Sequence, residues 1–254
     1  MKSDCLRTAL RASFGVTALF TAGCVAAPAV DGELIADPYE ETNRAVHAFN
    51  KDVDTLLLRP VAEGYDLFTP DLVKFLVSNE LNYLSLPRIF LNRLLQGDLE
   101  EAGAALARFA LNTTIGAVGL LDPATEFGLP HTQTDFGVTL AAWGAEEGVY
   151  HEVPIFGPRT SRDAVGLVGQ VLLDPAILIT FGVVDAPATV TTLEYGRLGM
   201  DPVNSRYENA ELVDQLLYES EDSYISIRSG YVQSRRRQVA GETNVDELPD
   251  IFAE

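Results

Sequence analysis

The chain has 254 residues, with 18 Lys and Arg against 37 Asp and Glu and a net charge of −19. Lysine occurs only as Lys2, Lys51 and Lys74, which excludes the clustered cations that nucleic acid requires. Attachment to a membrane must then come from apolar contact or lipid. Hydrophobic residues make up 47% and charged residues 22%, a globular balance, and two cysteines exclude a disulfide framework. The length suits one compact unit of roughly 200 residues, or two small ones.

Lys2, Arg7 and Arg11 precede the apolar run Ala12 to Phe20, which is too short to span a bilayer and leads into small residues, the pattern of an export signal. Its exit, Phe20-Thr21-Ala22-Gly23-Cys24, resembles the bacterial lipoprotein cleavage box, with Thr21 where a leucine usually stands. The resemblance implies removal of residues 1–23 and acylation of Cys24, and two or more acyl chains are enough for stable anchoring. Val25, in place of an aspartate, favours the outer over the inner membrane. The competing reading is an ordinary signal cut nearby, with Cys24 a bystander. Cleavage before Cys24 also removes Cys5, leaving no free thiol for redox or metal chemistry.

Residues 24–36 read as a tether, 37–240 as a helical domain and 241–254 as an acidic, solvated tail. Asp37-Pro38-Tyr39-Glu40 predicts an N-cap at Asp37 and a helix to about Asp54. Thr69-Pro70-Asp71 opens a second helix, and Pro87 a third that stops at Gly97. Asp98-Leu99-Glu100-Glu101 caps another, in which Leu99, Ala102, Leu106 and Phe109 share one face. Gly137 to Trp143 and Glu152 to Phe156 are short strand candidates. Helices follow over Ser161 to Leu173, Pro175 to Val184, Pro187 to Met200 and Pro202 to Tyr218, with a last one carrying Tyr224, Ile227 and Tyr231. With about nine helices the class is mainly α.

The apolar stretches have an unusual length. Ala164 to Val184 holds a single charge, but Asp174-Pro175 at its middle splits it into two pieces, each roughly 15 Å long and half of a hydrocarbon core about 30 Å thick. Phe109 to Leu121 is likewise uncharged and too short to span. Gly116 and Gly119, like Gly166 and Gly169, allow close helix contacts. Such segments fit either one leaflet of a bilayer or the core of a soluble periplasmic domain.

No Walker loop, dinucleotide fingerprint or GxSxG turn occurs, so no cofactor and no enzymatic activity are expected, and any action is passive or driven from elsewhere. His131 and Asp135 lie on a loop between Pro130 and Gly137, and two ligands do not make a zinc site. His47 and His151 read as surface or second-layer residues. Arg235-Arg236-Arg237 reads as a solvated helix end, with contact to anionic headgroups the alternative.

Distributed motifs then point to a family. In order they are Asp37-Pro38-x-Glu40-x-x-Asn43-Arg44, Phe49-Asn50, Arg59-Pro60-Val61-Ala62, Leu95-Gln96-Gly97, Arg108-Phe109-x-x-Asn112-Thr113-Thr114 with Gly116, Gly119 and Asp122, Asp135-Phe136-Gly137-x-Thr139-Leu140, Trp143-Gly144, Gly157-Pro158 and Arg162-Asp163. Near the end come Ser220, Asp222, Tyr224, Arg228, Tyr231, Gln233 and Arg235. Together they resemble the MlaA/VacJ outer-membrane lipoprotein family over roughly Asp37 to Gln238. Ser223, where the family usually has proline, and the loop Ala145 to Val149 depart from its pattern.

The resemblance implies a compact, ring-like, membrane-embedded helical domain with few or no short strands, held in the periplasmic leaflet of the outer membrane. It implies a channel that removes phospholipids misplaced in the outer leaflet, a trimeric porin as partner, and transfer to the periplasmic carrier MlaC. Carried onto this chain, it assigns the channel wall to Asn43, Phe49, Asn50, Arg108, Asn112, Thr113 and Thr114. A purely structural or adhesive lipoprotein is the alternative. A lipid-cleaving enzyme would need a nucleophile beside a base, and the sequence offers no such arrangement.

Overall fold

The computed structural model describes residues 34–174 and 188–241. The signal segment, Cys24, most of the tether, the expected helix Pro175 to Val184 and the tail beyond Gly241 lie outside the described residues.

Helix α1 (Glu40–Val53) runs through a π-helical turn, Asp54–Leu58, into α2 (Arg59–Phe68). Asp37 is not its cap, since Tyr39 holds that position. The Asp37 carboxylate instead accepts from Asn43 Nδ2 at 2.7 Å, from Arg228 Nη1 at 2.8 Å and from the Tyr224 hydroxyl. Charge-assisted bonds of this kind outrank a single cap bond.

Helix α3 (Asp71–Gln96) starts where Thr69-Pro70 predicts but does not break at Pro87. Pro87 points outward while Leu86 and Ile89 beside it are buried, and packing against α4 (Leu99–Thr114) offsets the roughly 3 kcal/mol a helical proline costs. Gly97 ends α3 with φ 78°, and Asp98 caps α4 by accepting from the Glu101 amide at 3.1 Å. The inward face of α4 is not its most apolar one. It consists of Ala102, Ala105, Arg108 and Asn112, whereas Leu99 and Leu106 are exposed.

Beyond α4 the chain turns through left-handed Ala117, Val118 and Gly119 to α5 (Pro123–Glu126). A Cβ on Gly119 would stand 2.5 Å from the Tyr83 ring. The expected strand at Gly137 to Trp143 is instead helix α6 (Phe136–Ala142), started by Asp135, which accepts from the Val138 amide at 3.0 Å. The second strand candidate is displaced and has a partner. Strands β1 (Tyr150–Val153) and β2 (Gly157–Thr160) form an antiparallel hairpin with Tyr150 opposite Thr160 and Val153 opposite Gly157.

Helix α7 (Ser161–Leu173) ends before Asp174, as the Asp-Pro break predicts. Gly166 lies on the backbone of Gly137 and Gly169 on the Phe136 ring; an added Cβ would come within 2.6 Å and 2.4 Å of them. Helix α8 (Ala188–Glu208) continues through Pro202, contrary to the expected boundary there. Pro202 is exposed, and the buried Asn204 and Arg206 beyond it hold the helix on course. Then come α9 (Ala210–Asp214), a second π-helical turn Gln215–Glu219, and α10 (Ser223–Ala240), capped by Asp222.

These elements close a circuit of neighbours. Helix α1 touches β1, β2 touches α10, α10 touches α6, α6 touches α3, α3 touches α8, and α8 touches α2, which leads back through the first π-helical turn to α1. Helix α4 covers α3, and α7 covers α6. The structure is mostly helical with one small hairpin, and no helix among the described residues is long and apolar enough to cross a membrane.

An apolar core that includes Leu86, Ile89, Tyr150, Tyr224 and Val232 is accompanied by many buried polar and charged side chains. Buried positions include Asp54, Lys74, Asn92, Arg108, Asp163, Arg206, Arg228 and Arg235. Meanwhile Leu56 is 79% and Phe68 82% exposed, in company with Leu57, Leu67, Leu72, Phe75, Ile115, Val118, Val165 and Val168. Buried charges are rare unless paired, and soluble monomers seldom show extended apolar surface.

Candidate functional site

The residues assigned from the sequence to a channel wall fall into two groups. The first group ties α1 to the hairpin. Asn43 donates to Asp37 and to the Tyr150 carbonyl, and accepts from the Glu152 amide at 3.0 Å. Asn50 donates to Glu152 Oε1 and to the Val153 carbonyl, both at 3.1 Å, and accepts from the Ile155 amide at 2.7 Å. Phe49 between them is half exposed. His47 is buried beside them, 3.0 Å from Ser223 Oγ, so the departure at Ser223 supplies the histidine with a partner.

The second group folds the turn after α4 back onto that helix. Arg108, 3% exposed, donates to Asp122 Oδ2 at 2.8 Å, to Thr125 Oγ1 at 3.1 Å and to the Leu129 carbonyl. Asn112 donates to the other Asp122 oxygen at 2.8 Å. Thr113 donates to the Phe109 carbonyl and meets the Tyr83 hydroxyl at 3.0 Å, and Thr114 is exposed with its hydroxyl on the Ala110 carbonyl. Nearby His131 has both ring nitrogens buried without partners; burial and the Arg108 charge push its pKa down to about 4. Among the described residues no group of three or more His, Cys, Asp or Glu could hold a metal.

A third cluster escaped the sequence reading. Arg235 is not part of a solvated helix end: its guanidinium is buried, donating to both Asp135 oxygens at 2.7 and 2.8 Å and to Asp163 Oδ1 at 2.8 Å. Arg236 is exposed and pairs with Glu147 at 2.5 Å. The Tyr231 hydroxyl donates to Asp163 Oδ2 at 2.6 Å. Burial opposes ionisation of Asp163, but the bonds from Arg235 and Tyr231 and the charge of Arg162 outweigh it and hold the carboxyl at about 2. Asp135 is lowered in the same way, burial again being overcome by Arg235.

This cluster forms one wall of a cavity of about 160 Å³ whose remaining walls include Arg88 from α3, Arg159 from β2 and Gln170 from α7. A second, wider and more apolar cavity of about 460 Å³ opens beside Asp54, Leu58, Arg206 and Leu212. There Arg206 pairs with Asp54 at 3.0 Å and with Asp214 at 2.5 Å. Neither wall includes any of the seven residues assigned from the sequence.

The helical circuit with its one hairpin has a counterpart among known proteins. The MlaA lipoprotein family model matches residues 35–238. The chain belongs to this family. Among its relatives are the intermembrane phospholipid transport system lipoproteins MlaA of Haemophilus influenzae, 31% identical with 84% of both chains covered, and of Escherichia coli, 31% identical with 91% of this chain and 89% of that one covered. A Rickettsia felis protein is 34% identical over 81% of this chain and 78% of its own. A solved chain from work on the structural basis for maintenance of bacterial outer membrane lipid asymmetry superposes with a TM-score of 0.64 at 27% identity, covering 80% of this chain and 99% of that one. The MlaA family pattern thus spans nearly the whole helical circuit, both cavities included.

Proposed function

We propose that this member of the family is an outer-membrane lipoprotein, anchored through Cys24 in the periplasmic leaflet, that maintains lipid asymmetry. It gives misplaced phospholipids a polar route out of the outer leaflet, for transfer to a periplasmic carrier of the MlaC kind, and works beside a trimeric porin. The observation that carries this reading is the burial pattern: many leucines, valines and phenylalanines lie exposed while paired charges lie inside beside the apolar core. Apolar exteriors suit hydrocarbon, and a charged headgroup crossing hydrocarbon unaided meets a large desolvation barrier that polar walls lower. Lowering a barrier needs no nucleotide and no catalytic centre when lipid moves down its own gradient.

In this reading Asn43, Asn50, Arg108 and Asn112 serve the channel as its frame, by fixing the hairpin and the turn after α4, with Phe49, Thr113 and Thr114 at its edges. The relatives' part in intermembrane phospholipid transport and the lipid-asymmetry structure support the assignment. Deleting the gene and labelling surface phospholipid with a membrane-impermeant amine reagent tests it. Surface phospholipid should rise several-fold and return to normal with the intact chain but not with Cys24→Ser. Unchanged labelling after deletion would leave only the structural-lipoprotein reading.

A further inference from the structure

We propose that the cavity walled by Arg88, Arg159 and Arg235 is a station for the phosphate of a phospholipid, through which the protein distinguishes phosphate-bearing lipids from phosphate-free ones. This rests on the transport reading and adds the chemistry of the passenger.

The charges decide it. In a chain of net charge −19, this small cavity is lined by three arginines and two aspartates. Both aspartates are already taken. Asp135 receives Arg235 and the Val138 amide; Asp163 receives Arg235, Tyr231 and Arg162. Neither is left for Arg88 or Arg159, and among the described residues no ion pair joins either arginine to a carboxylate. The Nε of Arg88 is buried without a hydrogen-bond partner, and Arg159 Nη1 donates only to the adjacent Pro158 carbonyl, at 2.7 Å. Burial lowers the Arg88 pKa, together with the charge of Arg197 and against those of Asp174, Asp135 and Asp201, none of which forms an ion pair with it.

An unpaired guanidinium lining a cavity is costly, and an anionic ligand meeting the terminal nitrogens of Arg88 and Arg159 would supply the missing counter-charge. Guanidinium forks match phosphate oxygens in pairs, and Gln170 adds a neutral amide to the wall. A volume of about 160 Å³ equals roughly five waters of liquid, which admits a phosphodiester but not acyl chains. The tails would therefore remain outside the station while the phosphate occupies it.

Calorimetric titration of the full lipidated protein in neutral detergent tests this, with dihexanoyl phosphatidylglycerol, phosphate-free dihexanoylglycerol and inorganic phosphate as probes. The phospholipid should bind saturably, and dihexanoylglycerol about tenfold more weakly or less. Arg88→Gln should weaken phospholipid binding by about tenfold and abolish the preference, while Arg88→Lys retains part of it. Arg159→Gln, which lies on the hairpin, gives a second reading should Arg88→Gln fail to fold. Equal binding of the two lipids, or equal affinity in wild type and both glutamine variants, overturns the proposal. Inorganic phosphate binding as tightly as the phospholipid would reassign the cavity to a free anion and overturn the lipid source. Raised surface phospholipid on gene deletion without preferential binding would keep the transport reading and end this one; preferential binding with unchanged asymmetry would do the reverse.

Discussion

Two buried arginines, Arg108 and Arg235, use the same chemistry to different ends. Arg108 gathers Asp122, Thr125 and the Leu129 carbonyl, all within about twenty residues of itself, and so closes one loop onto the helix that precedes it. Arg235 reaches Asp163 and Asp135 across 72 and 100 residues, and so binds α10 to α7 and to the start of α6. The first node satisfies its single carboxylate from several sides, since Asn112 and Thr125 also donate to Asp122. The second leaves a cavity beside it, with Arg88 on the far wall. A local node shapes a segment, whereas a long-range node builds the wall of a site.

That contrast predicts unequal costs. Arg235→Met should be the most damaging change, because buried Asp163 and partly buried Asp135 lose their main cation together; a loss of about 3–5 kcal/mol in denaturant unfolding, with α6, α7 and α10 all loosened, is expected. A cost below about 1 kcal/mol would mean that the node does not hold the wall.

Acid should sharpen the same distinction. Asp163 titrates at about 2 against an ordinary value of 3.8, so the folded chain binds fewer protons in that interval. Its stabilisation, on the order of 2 kcal/mol, is complete above pH about 4 and disappears as the pH falls through about 2. Unfolding measured across that window should show this slope in the intact chain and a flatter one in Arg235→Met. Identical slopes would dissociate Asp163 from Arg235.

The smallest effect is expected from Arg108→Ala. With Asn112 and Thr125 still on Asp122, the loss should be about 1–2 kcal/mol and confined to residues 115–129. Hydrogen exchange should quicken there while α10 keeps its protection, and exchange that quickens throughout would erase the difference between the nodes.

The Arg108 node was half visible in the sequence, since Arg108, Asn112 and Asp122 stand in one motif and differ only in the role they were given. Arg235, Asp135 and Asp163 also lay in quoted motifs, yet nothing in their order along the chain signals that they meet. The unusual length of the apolar stretches was legible as well. Which face of α4 turned inward was not: apolar spacing grouped Leu99, Ala102, Leu106 and Phe109 on one face, and the structure leaves both leucines exposed while burying Arg108 and Asn112. Apolar spacing marks which residues share a face; which face turns inward is set by the partners it meets, here Asp122 for Arg108 and Asn112.

What the sequence determined by itself was the set of features governed by a few neighbouring residues: the helical class, the stops at Gly97 and Asp174, the Asp98 cap and the close approach of Gly166 and Gly169. Backbone hydrogen bonds and steric limits act over one turn, so the local string suffices. Only the tertiary structure decided that Pro87 and Pro202 would be carried within intact helices, that Asp37 would be drawn from its cap to Tyr224 and Arg228, and that three arginines would converge on one small cavity. Those outcomes depend on partners distant along the chain, and no short stretch of residues records which partners will meet.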